Sequence, residues 1–334
     1  MKAVTIDDVA KRAGISKSTV SQYLNKRYEY MSASTKDRIE EAIADLDYQP
    51  NIIARSLTQK STSTIGVIVA NILHAFSTQI IRAIEDYCNE IDFHLIVCNA
   101  DDDPEKEKRY IEMLLAKQVD GMIIFPTGGN KELYEKLQKK NYPLVFMDRA
   151  VKDIEVSSVM LDNALASELA VAHLADKGYK RIGIVTTEVV RMVSPRVERV
   201  VGFKKALLDR GLEVNEDYIK SLSITQIQQA LHQMFSLEEK PEAIIAGNDL
   251  TLFEVLKYAK KHEFKIPEDL ALIGIDDVDF ASIYHPPLTT IAQPTIEMGK
   301  KAASILIGKI KDESNVEVKS TYRFEPKLIA RGSC

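Results

Sequence analysis

Residues 4–25, VTIDDVAKRAGISKSTVSQYLN, predict two short helices joined by a tight turn. Thr5 is placed to cap the first helix, with Asp8 three residues on as the reciprocal half of a capping box. Ile6, Val9 and Ala10 give that helix an apolar stripe at i, i+3 and i+4. Ala13-Gly14-Ile15 supplies the turn, and Gly14 is free to take positive φ. Ser16 caps a second helix whose Val20 and Leu24 turn inward, while Lys17, Ser18, Ser21, Gln22 and Asn25 face outward. A helix pair with a donor-rich outer face has the form of a helix-turn-helix, whose second helix enters the major groove of DNA. The plain alternative is a helical hairpin with a solvated face, which leaves the agreement of cap, turn and outer face unexplained.

Charge supports the first reading. Residues 1–28 hold six Lys/Arg against Asp7 and Asp8, a net +4, so with −5 overall the rest of the chain carries −9. A small basic head on an acidic body suits local phosphate contact, with the body kept off the nucleic acid. The 334 residues, 45% of them apolar, are enough for two or three domains with proper cores. Cys88, Cys98 and Cys334 lack metal-ligand spacing, so neither a disulfide framework nor a zinc site is expected, and Cys88 and Cys98 read as core thiols. MKAVTIDDVA has no apolar stretch after its lysine and is not read as a signal peptide, and no run of about 18 apolar residues occurs. The expectation is a reduced, cytoplasmic protein with no membrane contact.

A third helix is expected near 34–46, closing a three-helix core with Ile39, Ala42, Ile43 and Leu46. Pro50 stops what precedes it and Asn51 caps a segment to Leu57, barely two turns and unstable alone in water. The polar run 58–64 reads as a flexible linker. From Thr64 the chain alternates apolar runs with amphipathic segments. Strands are expected at 65–70, 93–98, 120–125 and 143–147, then at 181–186, 242–246, 270–275 and 287–291. Helices fall between them, near 76–91, 104–117, 130–140, 162–177, 196–210, 225–235, 248–263 and 295–309. This alternation predicts parallel sheets wound by helices, in two lobes with a cleft between. The expected division is 1–48 for the all-α head, 49–63 for hinge and linker, and 64–334 for a two-lobed α/β body that binds effector and dimerises.

TIDDVAKRAGISKSTVSQYLN resembles the opening of the LacI–GalR family of bacterial transcription regulators, and the pattern continues as YQPNIIARSL, IGVIVANILHAF, FMDR, AGNDLTLFEVL, LIGIDD and LTTIAQPTIEMG. Within the family, KSTVSQYLNKRYEYM and CNADDDP are similar to repressors of keto-deoxy-gluconate operons. The resemblance implies a body of periplasmic-binding-protein type, in which the chain crosses between lobes three times. By residue match it implies base reading by Lys17, Ser18 and Gln22, with Thr19, Ser21 and Asn25 on phosphates and Thr5 among the DNA contacts. Many members carry Arg where Gln22 stands; Gln pairs with adenine where Arg grips guanine. The resemblance further implies paired hinge helices in the minor groove, with Leu57 wedged between base pairs, Ala54 permitting close approach, and Asn51 and Arg55 beside it. Packing of Leu57 on the body stays open.

In open α/β sheets, ligands bind beyond the carboxyl ends of strands. Asn71 to Phe76, Thr127, Asp148, Arg149, Asn248 and Asp276 all follow predicted strands. The family match places Asp148, Asn248, Asp276 and Phe76 in an effector pocket and makes Arg199 its cleft arginine. Asp276 and Asp277 as helix caps remain an alternative. Asn71 stands where the family often has Asp, and Arg149, Arg191, Arg196 and Arg199 exceed what a neutral sugar needs, with Arg191 and Arg196 as surface residues of a loop and a helix start the alternative. Arg binds carboxylate or phosphate through a bidentate fork, so an anionic sugar derivative is expected.

The implied function is a ligand-responsive repressor of sugar or sugar-acid catabolism, binding a palindromic operator on double-stranded DNA as a homodimer. A regulator answering to a phosphorylated protein is the alternative. A transport binding protein would carry a signal peptide and no DNA-reading head. An enzyme would need a nucleophile–base pair or a phosphate loop, and neither is found. No cofactor or metal is expected.

Overall fold

The computed structural model describes residues 4–29, 31–49, 61–188, 194–312 and 321–334. The chain divides into two compact units, 1–62 and 63–334.

In the small unit α1 (Ile6–Ala13), α2 (Lys17–Leu24) and α3 (Ala33–Asp45) enclose Val9, Ala10, Ala13, Val20, Ile39, Ala42 and Tyr48. Each helix begins on a hydroxyl residue. Thr5 N–H and Oγ1 donate to Asp8 Oδ2 at 2.9 and 2.7 Å, and Ser16 and Ser32 Oγ accept from the N–H of Thr19 and Thr35 at 3.2 Å. Gly14, at φ +62°, ends α1 in the left-handed conformation that glycine adopts without a Cβ clash. Arg38 on α3 donates to the carbonyls of Ala13 and Gly14, tying the third helix to the turn. Leu24, Ile43 and Leu46, expected in the core, are half-buried. They lie at the ends of α2 and α3 and pack against the rim of the core. Tyr48, beyond α3, is buried in their stead.

The large unit holds two six-stranded sheets. The first lobe carries β1 (Thr64–Val69), β2 (His94–Asn99), β3 (Gly121–Ile124), β4 (Leu144–Met147), β5 (Ser158–Leu161) and β11 (Thr321–Phe324). They lie in the order β11-β5-β4-β3-β1-β2, all parallel, with Ile65 of β1 opposite Gly121 of β3. The second lobe carries β6 (Ile182–Thr187), β7 (Ile219–Leu222), β8 (Ala243–Ala246), β9 (Ala271–Ile275), β10 (Thr289–Ala292) and β12 (Lys327–Ile329). Here the order is β12-β10-β9-β8-β6-β7, and β12 runs antiparallel to β10.

Helices cover both faces of each sheet, which is why the strands read as continuous apolar runs. In the first lobe, α4 (Ala75–Asn89) and α11 (Thr295–Ile310) pack Ile80, Ile84, Met298, Ala302 and Leu306 onto Val67, Val69, Ile123 and Val145. On the other face α5 (Pro104–Ala116) and α6 (Lys131–Lys139) bring Ile111, Leu114, Tyr134 and Leu137 to Ile68, Met122, Ile124 and Phe146. In the second lobe α7 (Asn163–Asp176) and α8 (Ser194–Asp209) share one face, and α9 (Ile227–Phe235) and α10 (Asp249–Lys261) the other. The chain passes between lobes after β5, after β10 and between β11 and β12, the three crossings that the resemblance implied.

The eight expected strands and the helices between them are found within about two residues of the stated bounds. β5, β7, β11 and β12 were not foreseen. β7 is half-buried throughout and β11 alternates exposed and half-buried residues, as befits strands at sheet edges. β5 is buried, but serines 157 and 158 break its apolar pattern.

Candidate functional site

The outer face of α2 is the first candidate. Lys17, Ser18 and Gln22 are exposed, while Thr19, Ser21 and Asn25 are half-buried. Ser16 Oγ gathers the hydroxyls of Ser18 at 2.7 Å and Thr19 at 2.8 Å, so these side chains are oriented by the helix cap itself. Lys17 Nζ lies 3.4 Å from Asp7 Oδ2, a solvent-screened pair that a phosphate can replace. Thr5 is exposed but engaged with Asp8. Asn51, Ala54, Arg55 and Leu57, the expected hinge contacts, lie outside the described residues, as does Arg191.

The second candidate is a cleft beyond the carboxyl ends of both sheets. The first lobe contributes Ala70, Asn71, His74, Phe76 and Ser77 after β1, Phe125 after β3, and Asp148 and Arg149 after β4. The second contributes Pro195, Arg196 and Arg199 on α8, Asn248 after β8, Asp276 after β9 and Gln293 after β10. The Phe76 and Phe125 rings meet edge to face, 6.3 Å apart, and form an apolar wall. Asp148 and Asp276 have φ of +65° and +92°, a conformation L side chains rarely adopt, so backbone strain is held at the cleft ends of β4 and β9.

Arg199 is buried and fixed, its Nε donating to Asn163 Oδ1 at 2.8 Å and its Nη1 to the Gly247 carbonyl at 2.5 Å. Gly202, three residues on, allows the close approach of α8 to α7: a Cβ there would stand 2.7 Å from Ala164 Cα. Asn248 caps α10, accepting from Thr251 N–H at 2.8 Å through Oδ1 while Nδ2 donates to Thr187 Oγ1 at 3.1 Å. Asp276 accepts from Gln293 Nε2 at 2.5 Å and from Asp249 N–H at 3.3 Å. Burial pushes its carboxyl up to about 6, against the pull of Arg199 and with added repulsion from Asp249. Burial also works against Asp249, but His74 and the N–H groups of Ala75 and Leu250 outweigh it and hold that carboxyl below the usual range.

Four carboxylates, of Asp102, Asp148, Asp249 and Asp276, and three guanidinium groups thus line or border one cleft. Arg149 Nη1 donates to Asp102 Oδ1 at 2.9 Å and to the Pro126 carbonyl at 3.0 Å. Arg196 Nη1 donates to the Glu188 carbonyl at 2.9 Å, and its Nη2 lies 3.5 Å from Asp102 Oδ2. Such a set can hold hydroxyls through the carboxylates and an anionic group through the guanidiniums.

Of the expected effector residues, Asn71, Phe76, Asp148, Arg149, Arg196, Arg199, Asn248 and Asp276 come together. Thr127 does not. Its N–H donates to Glu107 Oε2 at 2.7 Å, and Glu107 also accepts from Asn130 and Tyr134, a buried cluster outside the cleft lining. Asp276 is not the N-cap residue of the short helix that follows it, and Asp277 pairs with Arg331 at 2.8 Å. Gln293 was missed, although it follows LTTIA as Asp276 follows LIGI. His74, within the segment Asn71 to Phe76 that follows β1, both lines the cleft and bonds Asp249. Among the described residues no group of three or more His, Cys, Asp or Glu is placed to hold a metal, and no helix is long and apolar enough to cross a membrane.

Comparison with known proteins agrees with this geometry. Residues 5–51 match the family of bacterial regulatory proteins of the lacI type, and residues 62–327 match the periplasmic binding proteins and sugar binding domain of the LacI family. The chain is 48% identical over 332 residues to the probable HTH-type transcriptional regulator EndR of Paenibacillus polymyxa, covering 98% of each. It is 32% identical to the HTH-type transcriptional repressor PurR of Aliivibrio salmonicida, again over 98% of each. The crystal structure of the Lac repressor dimer bound to operator and the anti-inducer ONPF superposes with a TM-score of 0.86 at 25% identity, covering 99% of both chains. These relatives are transcription regulators rather than enzymes, and the chain belongs to the LacI family of bacterial regulatory proteins.

Proposed function

We propose that this repressor controls sugar or sugar-acid catabolism, and that a small anionic sugar derivative in the interlobe cleft changes its affinity for a palindromic operator. The observation that carries this reading is the convergence of Arg149, Arg196 and Arg199 with Asp148, Asn248 and Asp276 at the ends of both sheets. A neutral sugar needs the second group of residues but not so many of the first. The similarity to keto-deoxy-gluconate operon repressors points the same way.

On the DNA side, Lys17, Ser18 and Gln22 read bases, Thr5, Thr19, Ser21 and Asn25 hold phosphates, and the hinge residues Asn51, Ala54, Arg55 and Leu57 enter the minor groove. The working division is head to residue 48, hinge to 63 and effector body beyond. The protein works in the cytoplasm, where operators are found. A palindrome requires a two-fold axis, hence a homodimer. Leu73, Ile283 and Ile296, at 73, 84 and 63% exposure, are apolar surface that a second copy would cover.

Calorimetric screening of the full-length protein against sugar acids and their neutral counterparts tests the proposal, with operator band shifts as the second readout. A sugar acid should bind, alter operator affinity, and lose affinity on Arg149→Met. A neutral sugar that binds equally well without Arg149 overturns the anionic reading. Operator release that requires a phosphorylated protein and no small molecule overturns the effector reading.

A further inference from the structure

Asp102 lies on the loop after β2 and belongs to the first lobe. Its two carboxylate oxygens point to two different guanidiniums, Oδ1 to Arg149 of its own lobe at 2.9 Å and Oδ2 to Arg196 of the second lobe at 3.5 Å. Both arginines line the effector cleft and are largely buried, their side chains 7 and 15% exposed. Arg149 still has Nε buried with no hydrogen-bond partner among the described residues, since Asp148 Oδ2 stands 3.5 Å away. A buried guanidinium N–H left unsatisfied in a ligand cleft is a donor awaiting an acceptor. Burial opposes ionisation of Asp102, yet the two arginines hold its carboxyl below the usual range.

We propose that Arg149 and Arg196 form a carboxylate-binding subsite that the protein fills with its own Asp102, so that an acidic effector must displace this side chain to bind. The inference rests on the effector reading of the cleft. It adds an internal competitor, which sets the affinity threshold for acids and ties the β2–α5 loop to effector occupancy. Because Arg196 and Asp102 come from different lobes, displacement replaces an interlobe ion pair of the protein by one through the ligand. Charge-assisted hydrogen bonds to guanidinium are strong enough for such an exchange to be read in binding.

The test uses full-length wild type, Asp102→Ala, Asp102→Asn and the double variant Asp102→Ala/Arg149→Met. Thermal unfolding is measured in sodium acetate and in sodium chloride of equal ionic strength. Asp102→Ala should lose stability, and acetate, entering the emptied subsite, should restore it saturably where chloride does not. Wild type and the double variant should show no acetate-specific gain. Acetate acting no better than chloride on Asp102→Ala, or acting equally on the double variant, overturns the subsite. Calorimetry with D-gluconate and neutral D-glucitol then reads the competition. Asp102→Asn, which keeps the shape without the charge, should bind gluconate about tenfold more tightly than wild type and leave glucitol unchanged. Weaker gluconate binding by Asp102→Asn overturns the competition. Acetate rescue without gluconate binding to either protein upholds the subsite and counts against the sugar-acid reading alone.

Discussion

His74 and Asp249 meet across the cleft, with Nδ1 2.5 Å from Oδ1, while the Ala75 N–H donates to the other carboxylate oxygen at 2.7 Å. His74 precedes α4 in the first lobe and Asp249 begins α10 in the second, so one carboxylate clasps both the side chain and the backbone of the opposing lobe. Its side chain is 4% exposed, which places the contact where loss of a partner is costly. On another flank Arg323 of β11 forks onto Glu198 of α8 at 2.8 and 2.9 Å, a more solvent-screened interlobe pair.

The clasp gives a first prediction. His74→Ala and Asp249→Asn should each lower unfolding free energy by about 1–3 kcal/mol, and the double variant should cost no more than the larger single. Urea unfolding in a double-mutant cycle measures this. Additive losses would mean the two residues do not interact in solution. Each single variant should also bind effector with altered affinity, because lobe closure loses one of its fasteners.

Asp276 provides a pH prediction. Its carboxyl lies near 6 in the folded protein, against an ordinary 3.8, because burial disfavours the charge. Between those values the native chain keeps a proton that the unfolded chain releases, so this group's contribution to stability falls as pH rises through the window. Below the unfolded value both states are protonated, and above the folded value both are ionised, so the effect levels off at each end. Asp276→Asn lacks the titration. The stability of wild type relative to this variant should therefore drop by about 1–3 kcal/mol between pH 4 and 6.5. A difference that stays flat across that range would mean Asp276 titrates normally.

Most of the architecture could be read along the chain, because its strands are buried on both faces and register as unbroken apolar runs such as IGVIV. The edge strands β7 and β11 could not, since TYRF and IKSL carry polar residues outward and imitate loop composition. The lining of the cleft was legible at Asp148, Asn248 and Asp276, polar residues at or just past the end of an apolar strand, though Gln293 holds the same place after β10 and was missed. It was illegible where a partner comes from a distant segment. Nothing local announces that Asp102 faces Arg149 and Arg196, or that His74 finds Asp249 175 residues along the chain. Thr127 is the converse case. It follows β3 as a ligand residue should, but the buried carboxylate of Glu107, from α5, captures its backbone.

Gly202 carries a packing prediction that reaches the site. An added methyl would stand 2.7 Å from Ala164 Cα and 3.0 Å from its carbonyl oxygen, both backbone atoms unable to give way as a side-chain tip could. Gly202→Ala must therefore push α8 from α7, costing about 1–3 kcal/mol as overpacking does. Arg199 and Arg196 ride on α8, so effector affinity should weaken along with stability while the head, a separate compact unit, keeps its fold. Circular dichroism with effector titration checks both. Unchanged melting would mean the helix pair has more slack than the distances allow.

The last prediction concerns the recognition face. Gln22 is exposed in the second half of α2, and Ser16, Ser18 and Thr19 lock the start of that helix through a shared set of hydroxyl contacts. A rigid helix presents its outer side chains at fixed positions, so a change at residue 22 should alter what one base pair meets and little else. Gln can present its amide N–H and carbonyl side by side, a donor and an acceptor that match adenine, whereas Arg presents two N–H donors in a fork, which match guanine. Gln22→Arg should thus shift preference from A·T to G·C at one symmetric position in each half-site. The discrimination should be about 1–3 kcal/mol per contact, with thermal stability unchanged because the residue packs outside the core. Selection from randomised operators, run in parallel on wild type and variant, reads the outcome directly. Identical base preferences would place Gln22 in solvent and move base reading to Lys17 and Ser18.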